Sequence, residues 1–390
     1  MVDLEQLKNA FRKFYEAEPR LFGAPGRVNL IGEHTDYNDG FVLPMAIDRQ
    51  TVVAAAPRDD RRVRVHSLSV EETREFDLDG EGEARRGIWL DYVEGVARVL
   101  ESRGALLGGA DMMLSSDVPV GAGLSSSAAL ELSAGLALIS LSGAKVERVA
   151  LALAGQEAEH TFVGTMCGIM DQLVAALGLR NHALLIDCRS LKVEAIPMKL
   201  EGVAIVACDT RVKHELSSSE YNKRREECAR GVELLRESLP GIRALRDVSP
   251  VEFERYGASL PQPVGRRCRH IVTENERTLR AAEALRSGKP ETMGQLMYES
   301  HRSLRDDYEV SSAELDALVD IARGVKGVFG ARMTGGGFGG CTVNLVRRDA
   351  LAEFREVVSR EYTRATGHQT DIYVVEASDG ARELELKAAG

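Results

Sequence analysis

Residues 26–40 combine side chains that can do chemistry, with Arg27, Glu33, His34 and Asp36 placed around an apolar stretch. A core segment has no use for this mixture, because burying unpaired polar groups costs free energy. Carboxylates, an imidazole and a guanidinium supply hydrogen-bond donors and acceptors at fixed positions, as the hydroxyls of a polyhydroxylated ligand require. We interpret the segment as a strand edge and turn that bind such a ligand. The alternative is a charged surface turn.

A turn rich in glycine and serine, at residues 117–129, leads into a long apolar helix. The first turn of a helix has unpaired N–H groups and the positive end of the helix dipole, which suits it to binding phosphate. Gly121 and Gly123 allow the backbone to approach closely, and the serines that follow add donors or a metal contact. The Walker pattern and the marks of protein kinases are absent. The alternative is a turn with a simple helix cap.

A second glycine-rich run occupies residues 333–341, with five glycines among the six positions 335–340. Glycine loses much backbone entropy in helices and strands alike. The run therefore predicts a close approach of this backbone to another segment of the chain or to a ligand. Taken alone, the run is more typical of an ordinary glycine-rich turn.

Two carboxylates are candidates for acid–base and metal chemistry. Asp171 follows a glycine-bearing turn and precedes an apolar stretch, where it can accept a proton from a substrate hydroxyl. Glu159 lies on the preceding predicted helix and can hold Mg²⁺ through an oxygen, as hard cations require. Without the other motifs, a helix N-cap is the favoured role of Asp171.

These segments resemble the motifs of a known group of enzymes. Residues 26–40 resemble, almost residue for residue, the signature of the galactokinase family, one of the kinases for galactose, homoserine, mevalonate and phosphomevalonate. Residues 117–129 are similar to the second motif of that group, which cradles nucleotide phosphates. Residues 333–341 are similar to the third, which closes over the phosphate site. Residues 167–172, Cys-Gly-Ile-Met-Asp-Gln, resemble the galactokinase form of the catalytic segment.

The resemblance implies a role for each segment. Asp171 would be the base or polarise the anomeric hydroxyl of the sugar, and Arg27 would balance charge on the transferring phosphoryl group. Ser127 and Glu159 would hold Mg²⁺. The residues that would bind the sugar are Glu33, His34, Thr35, Asp36, Gly168 and Tyr221. The residues that would bind the nucleotide are Ser67, Trp89, Gly121, Ala122, Gly123, Leu124, Ser125, Ser126 and Ser127.

Other segments extend the resemblance along the whole chain. Trp89 lies in a segment similar to one that lines an adenine pocket, Ser67 matches a serine that contacts the nucleotide, and Tyr221 matches a tyrosine that reaches the sugar. Residues 270–275 and 300–308 are also similar to galactokinase segments. Packing of helices and loops explains these last two as well as a direct role does.

Hydrophobic periodicity predicts the elements that must position these motifs. Strands are predicted at residues 21–22, 41–43, 51–55, 63–66, 111–115, 183–187, 203–207, 328–332, 341–346 and 371–375. Helices are predicted at 3–16, 89–100, 125–141, 146–163, 219–238, 268–287, 291–304 and 312–324, with one more between the last two strands.

Length and composition limit the class of protein. A chain of 390 residues suggests two domains, and 44% apolar with 28% charged residues is typical of a globular protein. The formal net charge of −10 argues against a nucleic-acid surface. The longest apolar run is too short to span a bilayer. Scattered cysteines predict reduced thiols, and the first residues lack the features of a signal peptide, so we expect a cytoplasmic protein.

The resemblance implies an α+β protein of two domains with the active site between them. The first, expected at residues 1–190, is an α/β domain with a left-handed βαβ crossover, an exception to the usual right-handed rule. The second, expected at residues 191–390, is ferredoxin-like. We expect a monomer, with no nucleic acid or membrane as partner.

The implied activity transfers the γ-phosphate of ATP to the anomeric hydroxyl of D-galactose, giving α-D-galactose 1-phosphate and ADP. This is the first committed step of galactose catabolism, the Leloir pathway. One alternative is another small-molecule kinase: Asp36 counts against mevalonate, whereas N-acetylgalactosamine kinases keep much of the signature. The other is a non-catalytic galactose sensor. That type is known for a shortened phosphate-loop motif, whereas residues 125–129 are complete here.

Overall fold

The computed structural model describes residues 2–82, 86–213 and 217–386. Residue 216, which precedes Tyr221 in one predicted sugar-binding segment, lies outside these ranges. The helices of the described residues are α1 (Leu4–Tyr15), α2 (Leu90–Ser102), α3 (Ser126–Ser142), α4 (Arg148–Ala158), α5 (Met170–Leu177), α6 (Ser217–Leu235), α7 (Pro250–Tyr256), α8 (Val264–Arg286), α9 (Pro290–Ser303), α10 (Ala313–Gly324) and α11 (Leu351–Thr366). The strands are β1 (Arg20–Asn29), β2 (Phe41–Val42), β3 (Pro44–Pro57), β4 (Arg62–Ser67), β5 (Glu72–Asp77), β6 (Ala110–Ser116), β7 (His182–Asp187), β8 (Lys192–Pro197), β9 (Val203–Lys213), β10 (Val328–Thr334), β11 (Gly339–Arg347), β12 (Asp371–Val375) and β13 (Arg382–Leu384).

The first sheet has six strands in the order β13-β1-β3-β6-β4-β5. Its neighbours are antiparallel except β4 and β6, which run parallel and are connected through β5 and α2. This connection is the expected βαβ crossover, whose hand stays a prediction. Side chains that alternate along the strands, among them Phe22 and Val53, pack against Val96 of α2 and Leu132 of α3. Each such burial stabilises the fold by roughly 1.5–3 kcal/mol.

Helix α1 covers the other face of the same sheet. The Asp3 side chain caps it by accepting a hydrogen bond from the Gln6 N–H at 2.9 Å. Leu7 and Phe11, one turn apart, are buried in the small core beneath the helix and form its apolar face. Phe14, on the next turn of the helix, is half exposed and stacks on the His66 ring.

The second sheet is antiparallel, in the order β10-β11-β9-β12, and its core includes residues of α10 and α11. A three-stranded sheet, β2-β7-β8, adjoins β3. These layers confirm the predicted α+β class with two domains. A boundary between residues 190 and 191 falls in the turn of the β7–β8 hairpin, and β13 returns to pair with β1. The exact division stays a prediction.

The predicted strands and helices all occur, with differences in extent that have local causes. The predicted strand 21–22 is the start of a ten-residue strand. The prediction was too short because the glycines and the proline of this strand concealed its hydrophobic pattern. The predicted helix 146–163 ends as an α-helix at Ala158 and continues as a π-helical turn, Glu159–Val163. Among the strands and α-helices of the described residues, five were not predicted: β5, β8, α5, α7 and β13.

Candidate active site

A cavity of about 390 Å³, the first cavity, lies where the predicted motifs meet. It is bordered by the end of β1 and the turn after it, the glycine-serine loop before α3, the segment before α5, and the third glycine-rich run. Its lining includes these predicted site residues: Arg27, Glu33, His34, Asp36, Gly121, Gly123, Ser127, Glu159, Gly168, Asp171 and Tyr221.

Arg27 and Asp171 form a two-pronged ion pair at the cavity. Arg27 Nε donates to Asp171 Oδ1 at 2.8 Å, and Arg27 Nη2 donates to Oδ2 at 2.7 Å. The arginine side chain is 6% exposed, whereas that of the aspartate is 27% exposed. Ser125 Oγ also donates to Asp171 Oδ2. Paired charges of this geometry orient the carboxylate, because the fork of the guanidinium matches the two oxygens.

Local backbone features bring these side chains together. The register of β1 against β3 shifts between Pro25 and Arg27, and the Arg27 N–H donates to the carbonyl of Leu124 at 3.0 Å. A Cβ on Gly26 would lie 2.5 Å from that same carbonyl oxygen, so glycine is required there. Asp171 stands in the first turn of α5 and not at its N-cap, which is Ile169. The N-cap role considered for Asp171 is therefore wrong.

The loop before α3 has the backbone that its glycines predict. Gly121 and Gly123 have φ of +76° and +73°, which glycine adopts without strain. Ser125 is the N-cap of α3, also with positive φ, yet its side chain makes no capping hydrogen bond. The hydroxyl bonds to Asp171 instead. The simple-cap alternative is thus not observed, and the first turn of α3 keeps N–H groups for an anion.

The third glycine-rich run packs directly on this loop. A Cβ on Gly335 would lie 3.0 Å from the Gly123 carbonyl oxygen, and one on Gly340 would lie 3.1 Å from that of Ala122. The predicted close approach of the backbone is confirmed as a contact between two segments of the chain. The Gly335 N–H also donates to Glu33 Oε1 at 2.7 Å.

Glu33 is buried and shares its carboxylate between the cavity and the protein. Arg332, fully buried on β10, donates through Nη1 to the same Oε1 at 3.3 Å. Glu33 therefore ties the first motif to the third while it lines the cavity. The same side chain can bind a ligand and position the wall around it.

His34 and Asp36 have unusual protonation behaviour because of their surroundings. Burial, and next the nearby charge of His270, lower the pKa of His34 well below its ordinary value, so the imidazole is neutral. Burial, and next the charge of Asp171, raise the pKa of Asp36 to about 7. His34 Nε2 is buried and makes no hydrogen bond of regular geometry with the described residues, although the Gly336 backbone interacts with the ring. Such an atom in a cavity wall is available to a ligand.

Some predicted site residues do not line this cavity. Thr35 is fully buried, and its hydroxyl lies 2.9 Å from the Gly32 carbonyl oxygen and 2.6 Å from that of Phe41. Its predicted sugar contact is not supported by the geometry, because the side chain closes the turn. Ala122 and Leu124 contribute backbone carbonyl groups: that of Ala122 lies against Gly340, and that of Leu124 accepts the hydrogen bond of the Arg27 N–H.

A second cavity of about 240 Å³ adjoins the first and shares Tyr92 and Ser127 with it. It contains the other predicted nucleotide residues, Ser67, Trp89 and Ser126, among mostly apolar neighbours that include Val70, Leu114, Val120 and Leu130. Trp89 Nε1 donates to Glu72 Oε2 at 2.9 Å, which fixes the indole. An apolar pocket beside a phosphate-binding loop suits a flat heterocycle.

Ser127 and Glu159, the predicted metal ligands, are hydrogen-bonded to each other. Burial raises the pKa of Glu159 to about 7, with a further contribution from Asp171. A hydroxyl and a carboxylate oxygen beside a phosphate-binding loop fit the hard donors that Mg²⁺ takes, since this ion keeps several waters or phosphate oxygens. The described residues contain no cluster of three or more His, Cys, Asp or Glu side chains placed to hold a metal.

Several functional residues were missed by the sequence reasoning. Tyr92, which lines both cavities, was predicted only as part of the helix 89–100, although it lies one turn after Trp89. Cys167 and Met170 flank Gly168 in the cavity wall. Their place within residues 167–172 was the available signal.

Helix α8 supports the first motif from behind. Glu274, fully buried, accepts a hydrogen bond from the Gly32 N–H at 3.0 Å, and His270 Nε2 lies 3.1 Å from the Glu33 carbonyl oxygen. Asn275 accepts from the Phe41 N–H at 2.8 Å. These residues do not line the first cavity, so the packing role considered for residues 270–275 is the one observed.

The fold and the site define a kinase of the class that acts on galactose, homoserine, mevalonate and phosphomevalonate, the GHMP kinases. The galactokinase galactose-binding signature matches residues 9–57. The N-terminal and C-terminal domains of GHMP kinases match residues 91–179 and 281–364. The mevalonate kinase of Methanococcus jannaschii, 18% identical, has the same fold, with a TM-score of 0.67 over 93% of this chain and 99% of that one.

Closer similarity then gives the family. Galactokinases of Chloroflexus aggregans and Roseiflexus sp. are 51% and 49% identical over 381 residues, 97% of each chain. The crystal structure of Lactococcus lactis galactokinase complexed with galactose is 36% identical, with a TM-score of 0.94 over 98% of this chain and 100% of that one. The chain belongs to the galactokinase family. Across the residues described, no helix is long and apolar enough to cross a membrane.

Proposed function

We propose that this protein transfers the γ-phosphate of ATP to the anomeric hydroxyl of D-galactose, giving α-D-galactose 1-phosphate and ADP. The observation that carries the proposal is the Arg27–Asp171 pair, held by two hydrogen bonds at the wall of a polar cavity. Membership of the galactokinase family supports the same substrates.

Asp171 acts on the anomeric hydroxyl. As the hydroxyl oxygen attacks the γ-phosphorus, its proton passes to the carboxylate, the bond between the γ-phosphorus and the β-bridging oxygen breaks, and ADP leaves with that electron pair. Arg27 fixes the carboxylate and offsets the negative charge of the transferring group. Most of the catalytic effect comes from positioning, because the reacting atoms are held at short range in one orientation.

The sugar is oriented by the polar wall of the first cavity. Asp36 accepts hydrogen bonds from two neighbouring hydroxyls, one of them the axial 4-hydroxyl of galactose. His34 and Tyr221 hold further hydroxyls. Glucose turns the 4-hydroxyl equatorial and leaves one carboxylate bond unmade, which costs roughly 1–3 kcal/mol.

The nucleotide spans both cavities. Its phosphates lie on the loop at residues 121–127 and the first turn of α3, and its base occupies the second cavity beside Trp89. Ser127 and Glu159 hold Mg²⁺, which when bound neutralises charge on the phosphate oxygens.

All six cysteines are free thiols, which supports a cytoplasmic setting.

The experiment is an ADP-release assay over galactose, glucose, N-acetylgalactosamine and mevalonate, with phosphorus NMR of the product. We expect kcat/KM for galactose to exceed that for glucose by at least about a hundredfold, and an anomeric phosphate. The Asp36→Ala variant should lose most of this preference for galactose over glucose. Turnover of N-acetylgalactosamine or mevalonate alone would overturn the substrate assignment, and galactose binding without ADP release would indicate the sensor.

A further inference from the structure

A chain of hydrogen-bonding groups runs from the first cavity into the protein interior. His34 Nδ1 lies 2.8 Å from the Tyr37 hydroxyl oxygen. That oxygen lies 2.8 Å from the Tyr308 hydroxyl, which in turn lies 3.1 Å from the sulfur of Cys228. Tyr308 and Cys228 are buried. The chain ends at the cavity with His34 Nε2, which makes no hydrogen bond of regular geometry with the described residues, although the Gly336 backbone of the cavity wall interacts with the ring.

Tyr308 is held rigidly at the middle of this chain. It closes a π-helical turn, Leu304–Tyr308, and its carbonyl oxygen accepts a hydrogen bond from Arg224 Nε at 2.8 Å. Its ring packs against those of His34 and His270, with centroids 4.8 Å and 4.6 Å away. π-Helical turns are often found at functional sites. Tyr308 does not line the first cavity, so any effect that it has on a ligand passes through its neighbours.

Each hydroxyl of the chain has a single hydrogen, so the three links must point in one direction. If the links point towards His34, Nδ1 accepts a hydrogen bond and the proton of the neutral imidazole is on Nε2. If they point away, the proton is on Nδ1 and Nε2 can only accept. The direction of the chain therefore decides whether His34 offers a ligand a donor or an acceptor.

The surroundings of Cys228 favour the first direction. Burial raises the pKa of this thiol to about 12, so it keeps its hydrogen. A thiol sulfur accepts hydrogen bonds only weakly, whereas a neutral imidazole nitrogen such as His34 Nδ1 accepts well from a phenol hydroxyl. The S–H is then free to donate to Tyr308, Tyr308 to Tyr37, and Tyr37 to His34 Nδ1.

We propose that Tyr308 is a positioning residue that acts through Tyr37 to keep the proton of His34 on Nε2. His34 then donates a hydrogen bond to an oxygen of the sugar, an inference that rests on the proposed function. Tyr308 thereby contributes to sugar affinity without touching the sugar.

The first test is NMR of the full chain with ¹⁵N-labelled histidine, since the two neutral tautomers have different nitrogen shifts. We expect His34, assigned by its loss in His34→Gln, to have the proton on Nε2, and Tyr308→Phe to give a mixture. A proton on Nδ1 in the unaltered protein would overturn the proposal. This readout needs no sugar and no turnover, so it is separate from failure of the proposed function.

Kinetics provide the second test. Tyr308→Phe should raise KM for galactose about tenfold, the usual effect of one hydrogen bond, with kcat changed much less. The matched control is Tyr362→Phe, which also removes a buried hydroxyl, one that donates to the Thr210 carbonyl oxygen at 2.9 Å. If both variants give the same small change, Tyr308 has no positioning role.

A double-mutant cycle separates positioning from packing. Because Tyr308 acts through Tyr37, Tyr37→Phe and the double variant should have the same KM for galactose. Additive effects would contradict the proposal. If Tyr308→Phe fails to fold, Cys228→Ala removes the terminal donor and should move the His34 shifts in the same direction; unchanged shifts would overturn the inference.

Discussion

A Cβ atom on Gly168 would lie 1.8 Å from Oδ2 of Asp36. No side chain of any size fits there, because real Cβ atoms essentially never come closer than 3.0 Å to a neighbour. The glycine of the catalytic segment and the aspartate of the first motif therefore occupy one shared space, although they lie far apart in the sequence. With the Asp36 side chain in its present place, the turn before α5 can adopt its position only because residue 168 has no side chain.

We first predict that Gly168→Ala displaces Asp36. KM for galactose should rise at least about tenfold, since the hydrogen bonds of the carboxylate are lost, while the affinity for ATP changes little. Titration calorimetry with each substrate measures this. Gly324→Ala, where an added Cβ meets nothing within 4 Å, is the control. Unchanged galactose binding would mean that Asp36 does not hold the sugar.

The second prediction concerns Asp171→Asn. The substitution keeps the shape but removes the proton acceptor, so kcat should fall by at least about two orders of magnitude. Steady-state kinetics with a nucleotide-binding assay check this, because the affinity for ATP should stay close to that of the unaltered protein. The exposed Asp320→Asn is the control. A kcat near normal would remove Asp171 from the role of base.

Glu159→Gln and Ser127→Ala are predicted to raise the Mg²⁺ concentration that gives half the maximal rate. Each substitution weakens or removes an oxygen ligand of the ion. Rates measured across a magnesium series at fixed ATP test this, with Glu157→Gln as the control because its solvent-facing carboxylate pairs with Arg103. If both variants kept the magnesium dependence of the unaltered protein, the ion would have to be bound elsewhere.

Sugar use should depend on pH through Asp36, whose pKa is raised to about 7. The ionised carboxylate accepts two hydroxyl hydrogen bonds, whereas the protonated form accepts fewer. As the pH falls through about 7, kcat/KM for galactose should therefore fall, since this quantity reports the free enzyme. The pH profile of Asp36→Asn should lack this step. A flat profile of the unaltered protein between roughly pH 6 and 8 would contradict the assignment.

A fifth prediction concerns stability and rests on Glu131, one turn after Ser127 on α3. It is fully buried and accepts a hydrogen bond from Gln172 Nε2 at 3.1 Å. Burial, and next the charge of Glu159, raise the pKa of Glu131 well above its ordinary value of 4.5. Its contribution to stability is complete below that ordinary value and is lost as the pH rises through the folded-state pKa.

Glu131→Gln cannot ionise, so it should gain in Tm relative to the unaltered protein as the pH rises from roughly 5 to 8. Thermal unfolding at both pH values measures the difference. The exposed Glu291→Gln should show no such trend. A Tm difference that is the same at both pH values would show that Glu131 is already ionised in the folded protein.

The sequence predicted best where a local pattern is itself the cause. The spacing of Leu7 and Phe11 predicts α1. The glycines at 121 and 123 predict the turn, in which they adopt positive φ angles. Strand β5 has no such pattern, because only Phe76 of its six residues is buried. It is a strand because it pairs with β4. Helix α5 is short, and its apolar run could equally be a strand.

The site was predicted through its motifs, but their supports were not. Glu274 stands in a charged helix and looks like a surface residue, yet it is fully buried and bonded to the first motif. Arg332 has no neighbour in sequence that explains its burial. Thr35 shows the opposite error, since its place within the motif suggested a ligand contact and its hydroxyl serves the turn. Such pairings join residues far apart in the chain, where no local pattern records them.

Strand β13 pairs with β1, which carries Arg27 near its far end. During synthesis on the ribosome, β1 is made early, whereas its partner at residues 382–384 emerges only after the second domain. Until then one edge of β1 has unpaired N–H and C=O groups, which can join strands of other chains. A nascent or truncated chain is therefore exposed to aggregation at the strand that bears Arg27.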